Sequence, residues 1–390
     1  MPFTAQSANT SNPLWTNYIK REKPLYERSK DLRSDFERDY NRIINTTAYR
    51  RMKNKTQVFF SPKNDHICTR AEHVVHVESI SYTIAKNLGL NTELTKAIAT
   101  AHDIGHSPFG HQGERVLSSI SKRDIGELFW HEKNGLDMVD KIELLEDTKG
   151  NKQNLNLTYA VRDGIISHCG EIDENRIFPR KEFIDLKEYT YPNQYAPYTW
   201  EGCVVKISDK IAYLGRDIQD AITLGIIDNN LEELYEILNY SKDEIINNTV
   251  IIGNLIYDLC KNSSLEKGLC FSDEKFNMIN ILKKFNYEKI YFTEKLISSV
   301  KYFELILNTI YDLLKQSRTQ INKAKKKCPE LIDDFYNWLK DYWNIERNER
   351  NQNDVVFDIS EEKSFYKAII YYISGMTDNY AIEMYNKIIK

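Results

Sequence analysis

Three histidines, an aspartate and a glutamate fall within thirteen residues, His102-Asp103-Ile104-Gly105-His106-Ser107-Pro108-Phe109-Gly110-His111-Gln112-Gly113-Glu114. Imidazoles and carboxylates together bind divalent transition metals and also carry protons. All eight histidines of the 390-residue chain lie between His66 and His168. Composition does not produce such crowding, which points to one metal-dependent active site. His73, His102, Asp103 and, far along the chain, Asp209 are the candidate ligands. A His/carboxylate set with open positions suits manganese, iron, zinc, nickel or magnesium. His73 alone would read as a hydrogen-bonded core residue; the adjacent His102-Asp103 pair, among further histidines, favours the metal. His106, His111, Glu114 and His131 are the acid–base candidates, because a carboxylate beside an imidazole fixes its tautomer and raises its basicity. His66, His76 and His168 are expected outside the ligand set.

The elements that must position these groups read as helices. Apolar residues at 74, 75, 77, 80, 84, 85 and 88 keep the three-and-four spacing of an amphipathic helix, with Gly89 as its cap. Asn91-Thr92 opens a second helix that runs to His102-Asp103. A third spans Val204 to Ile218, and on it Asp209, Tyr213 and Asp217 recur every fourth residue and share one face. Lys210 and Arg216 flank that face, and Arg70 lies one turn before His73. A ligand, a cation, an aromatic ring and a second carboxylate on one helix can hold a phosphate, stack a sugar and accept a sugar hydroxyl. Gly105 and Pro108 interrupt the run after His102, so a turn is expected to lift His111 and Glu114 toward the metal. The segment from Ile177 to Trp200, with Pro179, Pro192 and Pro197, reads as an irregular excursion with room for a short hairpin.

Composition bounds the rest. The hydrophobic content of 41% supports a sizeable core, and the net charge of -4 gives no global field for nucleic acid or an anionic membrane. An anionic substrate therefore needs a local cationic pocket. No apolar run reaches bilayer length, and residues 1–6 lack the pattern of a signal peptide. The six cysteines form no Cys-x-x-Cys pair, which argues against a zinc ribbon or a disulfide framework. A reduced, cytoplasmic protein is the expectation. Two regions are expected, a core over 1–230 and a helical C-terminal region over 231–390 that supports the substrate pocket or assembly. The basic run at 323–327 reads as a solvated helix end.

With those residues in view, the chain resembles the HD-domain phosphohydrolases, and within them the deoxyguanosine triphosphate triphosphohydrolases and their dNTPase relatives. The resemblance runs in order through the segments 38–43 and 49–58, Thr69 to His73, Ala101 to Glu114, Phe129 to Glu132, Leu155 to Thr158 and Ser208 to Tyr213. It implies an all-α fold, a divalent metal at His73, His102, Asp103 and Asp209, and acid–base roles for His111 and Glu114 assisted by His106 and His131. It implies that Arg70, Lys210, Tyr213 and Asp217 hold triphosphate and sugar, with Gln57 at the deoxyribose. The implied reaction is attack of an activated water at the α-phosphorus of a dNTP, dGTP foremost, releasing deoxynucleoside and tripolyphosphate. Relatives also suggest a homo-oligomer up to a hexamer, and an allosteric dNTP or single-stranded DNA as further ligands.

One departure stands out: after His73 the chain reads Val74-Val-His-Val77, with His76 where the family commonly carries a glutamate. His76 is thereby a candidate to tune the ligands or to hold a further metal. Two other readings compete. A dinuclear HD phosphodiesterase acting on cyclic nucleotides or nucleic acid would use His106, His131 or His76 as extra ligands. A dNTP sensor without turnover would have little need of the set His106, His111, Glu114 and His131.

Overall fold

The computed structural model describes residues 3–24, 31–60, 64, 66–169, 175–227, 231–241, 244–291, 293–345 and 347–390, and over 294–298 the backbone alone. Among these residues the chain is all-α apart from one small antiparallel ribbon, Leu144–Glu146 against Lys152–Asn154. That ribbon lies outside the Ile177 to Trp200 excursion, where the sequence leaves room for a hairpin. The excursion instead holds a single 3₁₀ turn at Leu186–Glu188. Its three prolines lack the N–H groups that a ladder needs, and Arg180 staples it down by donating to Asp163 and to the Ala196 carbonyl.

The helices beside the site begin where side chains satisfy their free N–H groups. Thr69 and Glu72 form a capping box at the start of Arg70–Leu88, and Gly89 ends that helix at φ 81°. Asn91 accepts from the Glu93 and Leu94 amides at the start of Thr92–Ala101. Thr199 caps Trp200–Thr223, which extends the expected third helix at both ends.

Two apolar cores organise the chain. The first gathers Val77, Ile80 and Ile84, Ala97 and Ile98, Val161 and Ile165, and Val204, Ile207 and Ile211. It continues into Leu255 and Leu259 of Asn248–Asn262 and Ile279 and Leu282 of Asp273–Asn286. The second joins Val116, Leu117 and Ile120 of Gly110–Asp124 to Phe303, Ile306 and Ile310 of Glu294–Ser317. Phe335, Ile369, Ile373 and Met384 complete it. Burying each such side chain contributes about 1.5–3 kcal/mol. The expected boundary after residue 230 falls on 228–230, outside the described residues; beyond it the helices divide between the two cores. No described helix is long and apolar enough to cross a membrane.

This division places the chemistry. His73, His102 and Asp209 ride on elements of the first core, whereas His111 and Glu114 ride on a helix of the second. The site lies at their seam.

Candidate active site

His73 sits on the first turn of Arg70–Leu88, His102 at the C-terminal end of Thr92–Ala101, and Asp209 midway along Trp200–Thr223. Their donor atoms converge. His73 Nε2 is 2.9 Å from Asp209 Oδ1, and His102 Nε2 is 3.8 Å from the same oxygen. Asp103 Oδ1 lies 3.5 Å from His102 Nε2, and its Oδ2 lies 3.8 Å from His73 Nε2. Ligands about 2.1 Å from one ion are separated by roughly 3–3.5 Å, so His73, His102 and Asp209 fit a single divalent ion with slight contraction, whereas Asp103 reaches His102 and His73 through different oxygens and groups with His131 and His168. His102 supports this independently. Its Nδ1 donates to the Ala99 carbonyl at 2.7 Å, which leaves Nε2 with a lone pair, and that buried atom has no hydrogen-bond partner.

The charges around the cluster alternate. Burial alone would raise the Asp103 carboxyl, but His102, Arg70 and His106 hold it well below the usual carboxylate range. Burial likewise opposes ionisation of Asp209, yet its bond from His73 brings it down to about 2. Arg70, 1% exposed, donates from Nη1 to Asp103 at 2.5 Å and from Nη2 to the Thr56 and Gln57 carbonyls. Two buried polar atoms at the same place, Arg70 Nε and Gln57 Oε1, have no partner.

The acid–base set follows on the next turn. His106 Nε2 lies 3.1 Å from Asp103 Oδ1, and its ring stacks on His131 with centroids 3.8 Å apart. Burial, with Arg70 and His131 nearby, pushes His106 well below the ordinary imidazole value, so it is neutral. His131 is the opposite: despite burial, the Glu132 and Glu114 carboxylates raise it to about 10. Glu114 lies 3.1 Å from His131 Nδ1 and 3.5 Å from His111 Nδ1. Burial would raise Glu114, but His131 and His111 hold it well below its usual range. The His111 side chain is 63% exposed. Gly105 permits this packing. A Cβ there would come within 2.1 Å of the His131 carbonyl oxygen and 2.2 Å of the Gly135 amide.

On the Asp209 helix, Tyr213 and Asp217 share the ligand face as expected. Asp217 is buried, which raises its carboxyl to about 7, and it accepts from the Tyr291 hydroxyl at 2.5 Å. Lys210 turns elsewhere: with Ile207, Ile211 and Leu214 it lines a small cavity closed by Leu269, Phe271 and Ile279. His76 joins no metal-holding group among the described residues. Burial and Arg216 lower its imidazole. Three neighbours were given no role from the sequence, His168 having been expected outside the ligand set. His168, 2% exposed, stands with its ring centroid 5.0 Å from that of His102. Glu132 and Cys169 flank His131. Adjacency to His131 marked Glu132, but no spacing marked His168 or Cys169.

A His/Asp cluster at helix ends, with acid–base groups on the following turn, is the arrangement of an HD domain, and that domain's family matches residues 70–214. HD domains bind divalent metals, and the chain has groups able to hold one. Over nearly its full length the chain is similar to proteins named deoxyguanosinetriphosphate triphosphohydrolase-like. One from Caldanaerobacter subterraneus subsp. tengcongensis is 33% identical over 94% of this chain and 88% of its own length. One from Rickettsia bellii is 32% identical over 95% and 96% respectively. The chain belongs to this family of dGTP triphosphohydrolase-like HD-domain hydrolases.

Proposed function

We propose that the protein is a metal-dependent dNTP triphosphohydrolase, with dGTP the foremost substrate. One juxtaposition carries this reading. A buried His/Asp cluster with an unpartnered His102 Nε2 is linked through the His106 ring, 5.2 Å between centroids, to His111, a solvent-facing imidazole backed by Glu114. A divalent ion at His73, His102, Asp103 and Asp209 supplies charge that polarises the phosphoryl oxygen and acidifies a water. The chain's own groups do the rest. Water adds at the α-phosphorus, the bond from phosphorus to the 5′ oxygen breaks, and His111 delivers a proton to that departing oxygen. Glu114 accepts from His111 Nδ1 and so orients its Nε2, and the proton lost by the attacking water replaces the one His111 gives up. Arg70 balances the triphosphate charge, while Gln57, Tyr213 and Asp217 receive the sugar; Lys210, turned into its apolar cavity, takes no part.

A second reading has one observation in its favour. His106, His111, Glu114 and His131 offer ligand atoms within 4.8 Å of one another, a group able to hold a second ion for a phosphodiesterase. Product chromatography separates the two. The protein is incubated with Mn²⁺ or Mg²⁺ and each dNTP, singly and mixed. Deoxynucleoside and tripolyphosphate in equal amounts are expected. No product from any dNTP with one metal bound would overturn the proposal, and two metals per chain with diester cleavage would favour the second reading.

A further inference from the structure

The corner between the last two helices, Glu362–Ser374 and Asp378–Ile389, reaches back across the chain to the site. Asp378 is 4% exposed and stands on the first turn of its helix. Its Oδ2 accepts from the Thr56 amide at 2.8 Å and from the Thr56 hydroxyl at 2.5 Å. Its Oδ1 accepts from the Phe109 amide at 2.8 Å. One carboxylate thus ties together segments separated from it by 322 and 269 residues. Beside it, the buried Lys55 ammonium donates to the Ser374 carbonyl at 2.8 Å and to the His106 carbonyl.

Both tethered backbones lead directly to site residues. Phe109 holds φ 63° and Gly110 holds φ 56°, and the Gly110–Asp124 helix starts there. A left-handed conformation strains a non-glycine side chain, so the turn persists only where its surroundings hold it. Rotation at this turn would swing His111 and Glu114 as a unit. Thr56 is the other anchor. Its carbonyl and that of Gln57 receive Arg70, whose second nitrogen holds Asp103. The stack of Phe303 on Phe109, centroids 4.3 Å apart and planes 5° apart, braces the same turn from the second core.

We infer that Asp378 is a positioning residue, which sets the His111/Glu114 pair against the metal ligands through the Phe109 and Thr56 backbones. The inference rests on the acid role proposed for His111. It gives the C-terminal helices a part in catalysis without any contact to substrate. Misplacing a reacting group by about 1 Å lowers turnover by roughly 10²-fold.

The test is Asp378→Asn, whose amide meets three donors with one acceptor oxygen. Four readouts are compared with wild type: dNTP turnover, hydrolysis of bis(4-nitrophenyl) phosphate, bound metal by mass spectrometry, and amide hydrogen exchange by segment. The nitrophenolate leaving group needs little proton donation, so it does not depend on a well-placed acid. A fall in dNTP kcat of at least tenfold is expected, with nitrophenyl ester hydrolysis and bound metal within threefold of wild type. Exchange over 109–114 should quicken while that over 73–88 stays unchanged. Equal losses on both substrates, or unchanged exchange over 109–114, would overturn the inference. If wild type turns over neither substrate, the proposed function fails, and exchange alone decides the role of Asp378. Should Asp378→Asn not fold, Thr56→Val removes one of the three donors. A selective fall of at least threefold in dNTP turnover, with quickened exchange over 109–114, would then support the inference, and its absence would overturn it.

Discussion

Removing Asp209 should abolish metal-dependent stabilisation while leaving the fold intact. The Asp209 carboxylate lies 2.9 Å from His73 Nε2 and 3.8 Å from His102 Nε2, so it closes the proposed ligand set from the third helix. An ion that binds the folded state alone stabilises it by about 2.7 kcal/mol at a hundredfold excess over its Kd. For a chain of this length each kcal/mol moves Tm by about 1.2 °C, so added Mn²⁺ should raise the wild-type Tm by about 3 °C. The apoprotein also carries a buried unpartnered nitrogen at His102, at a cost of about 1–3 kcal/mol that the ion relieves. In Asp209→Ala the rise should shrink below about 1 °C. His76→Ala should keep the full rise, because His76 joins no ligand group among the described residues. Differential scanning calorimetry with and without chelator, alongside metal content by mass spectrometry, gives the answer. Full metal occupancy and a full Tm rise in Asp209→Ala would refute the ligand assignment.

Three further outcomes follow from the same geometry. His111→Ala should keep its metal and lose turnover by about 10²–10⁴-fold; retained dNTP turnover would remove His111 from the acid role. Gly105→Ala drives a methyl into the His131 carbonyl oxygen, 2.1 Å away. It should cost about 1–3 kcal/mol, seen as a lowered denaturant midpoint, and more than tenfold in kcat; wild-type values of both would refute the close approach. Asp217 has a carboxyl raised to about 7, so the folded state holds a proton that the unfolded state releases between about pH 4 and 7. Its contribution therefore weakens stability as pH rises through that window, by up to about 1.4 kcal/mol per pH unit. Asp217→Asn should flatten the stability profile there, and parallel wild-type and variant curves from pH 5 to 8 would sink the idea.

The convergence of His73, His102 and Asp209 was legible because its signals are local. His102 and Asp103 are adjacent, Arg70 lies one turn from His73, and Asp209, Tyr213 and Asp217 follow helical spacing. Such regularities survive folding unchanged. The glycine-proline break correctly separated His111 from the His102 helix, because backbone geometry at those residues depends little on distant contacts. What stayed hidden depends on chain crossings. Asp378 stands on a helix start like many others, and its bonds to Thr56 and Phe109 exist only once the second core has closed. Lys210 sits beside a ligand in sequence, but the next residue of a helix turns by about 100°, which carries its stem into an apolar cavity. The hairpin expected among the prolines formed instead near Gly150, where φ 78° suits a tight turn.

Electrostatics set the other imidazoles apart from His111, the proposed proton donor. His106 lies between the Arg70 and His131 cations in a buried position, and holding a proton there would add a third positive charge. His168, buried beside His102 and His131, is driven down to about 3 for the same reason. His131 errs in the other direction: at about 10 it keeps its proton too tightly to yield it near neutrality. A divalent ion at the ligand cluster would press the nearby imidazoles further toward neutrality and so deepen the contrast. His111 is different in kind. It stands at the solvent edge, with a carboxylate behind it and the ligand cluster beyond His106. A group that must take a proton from water and give it to a departing oxygen in each cycle needs that boundary position. The buried imidazoles are better suited to holding Asp103 and Glu114 in place while it does so.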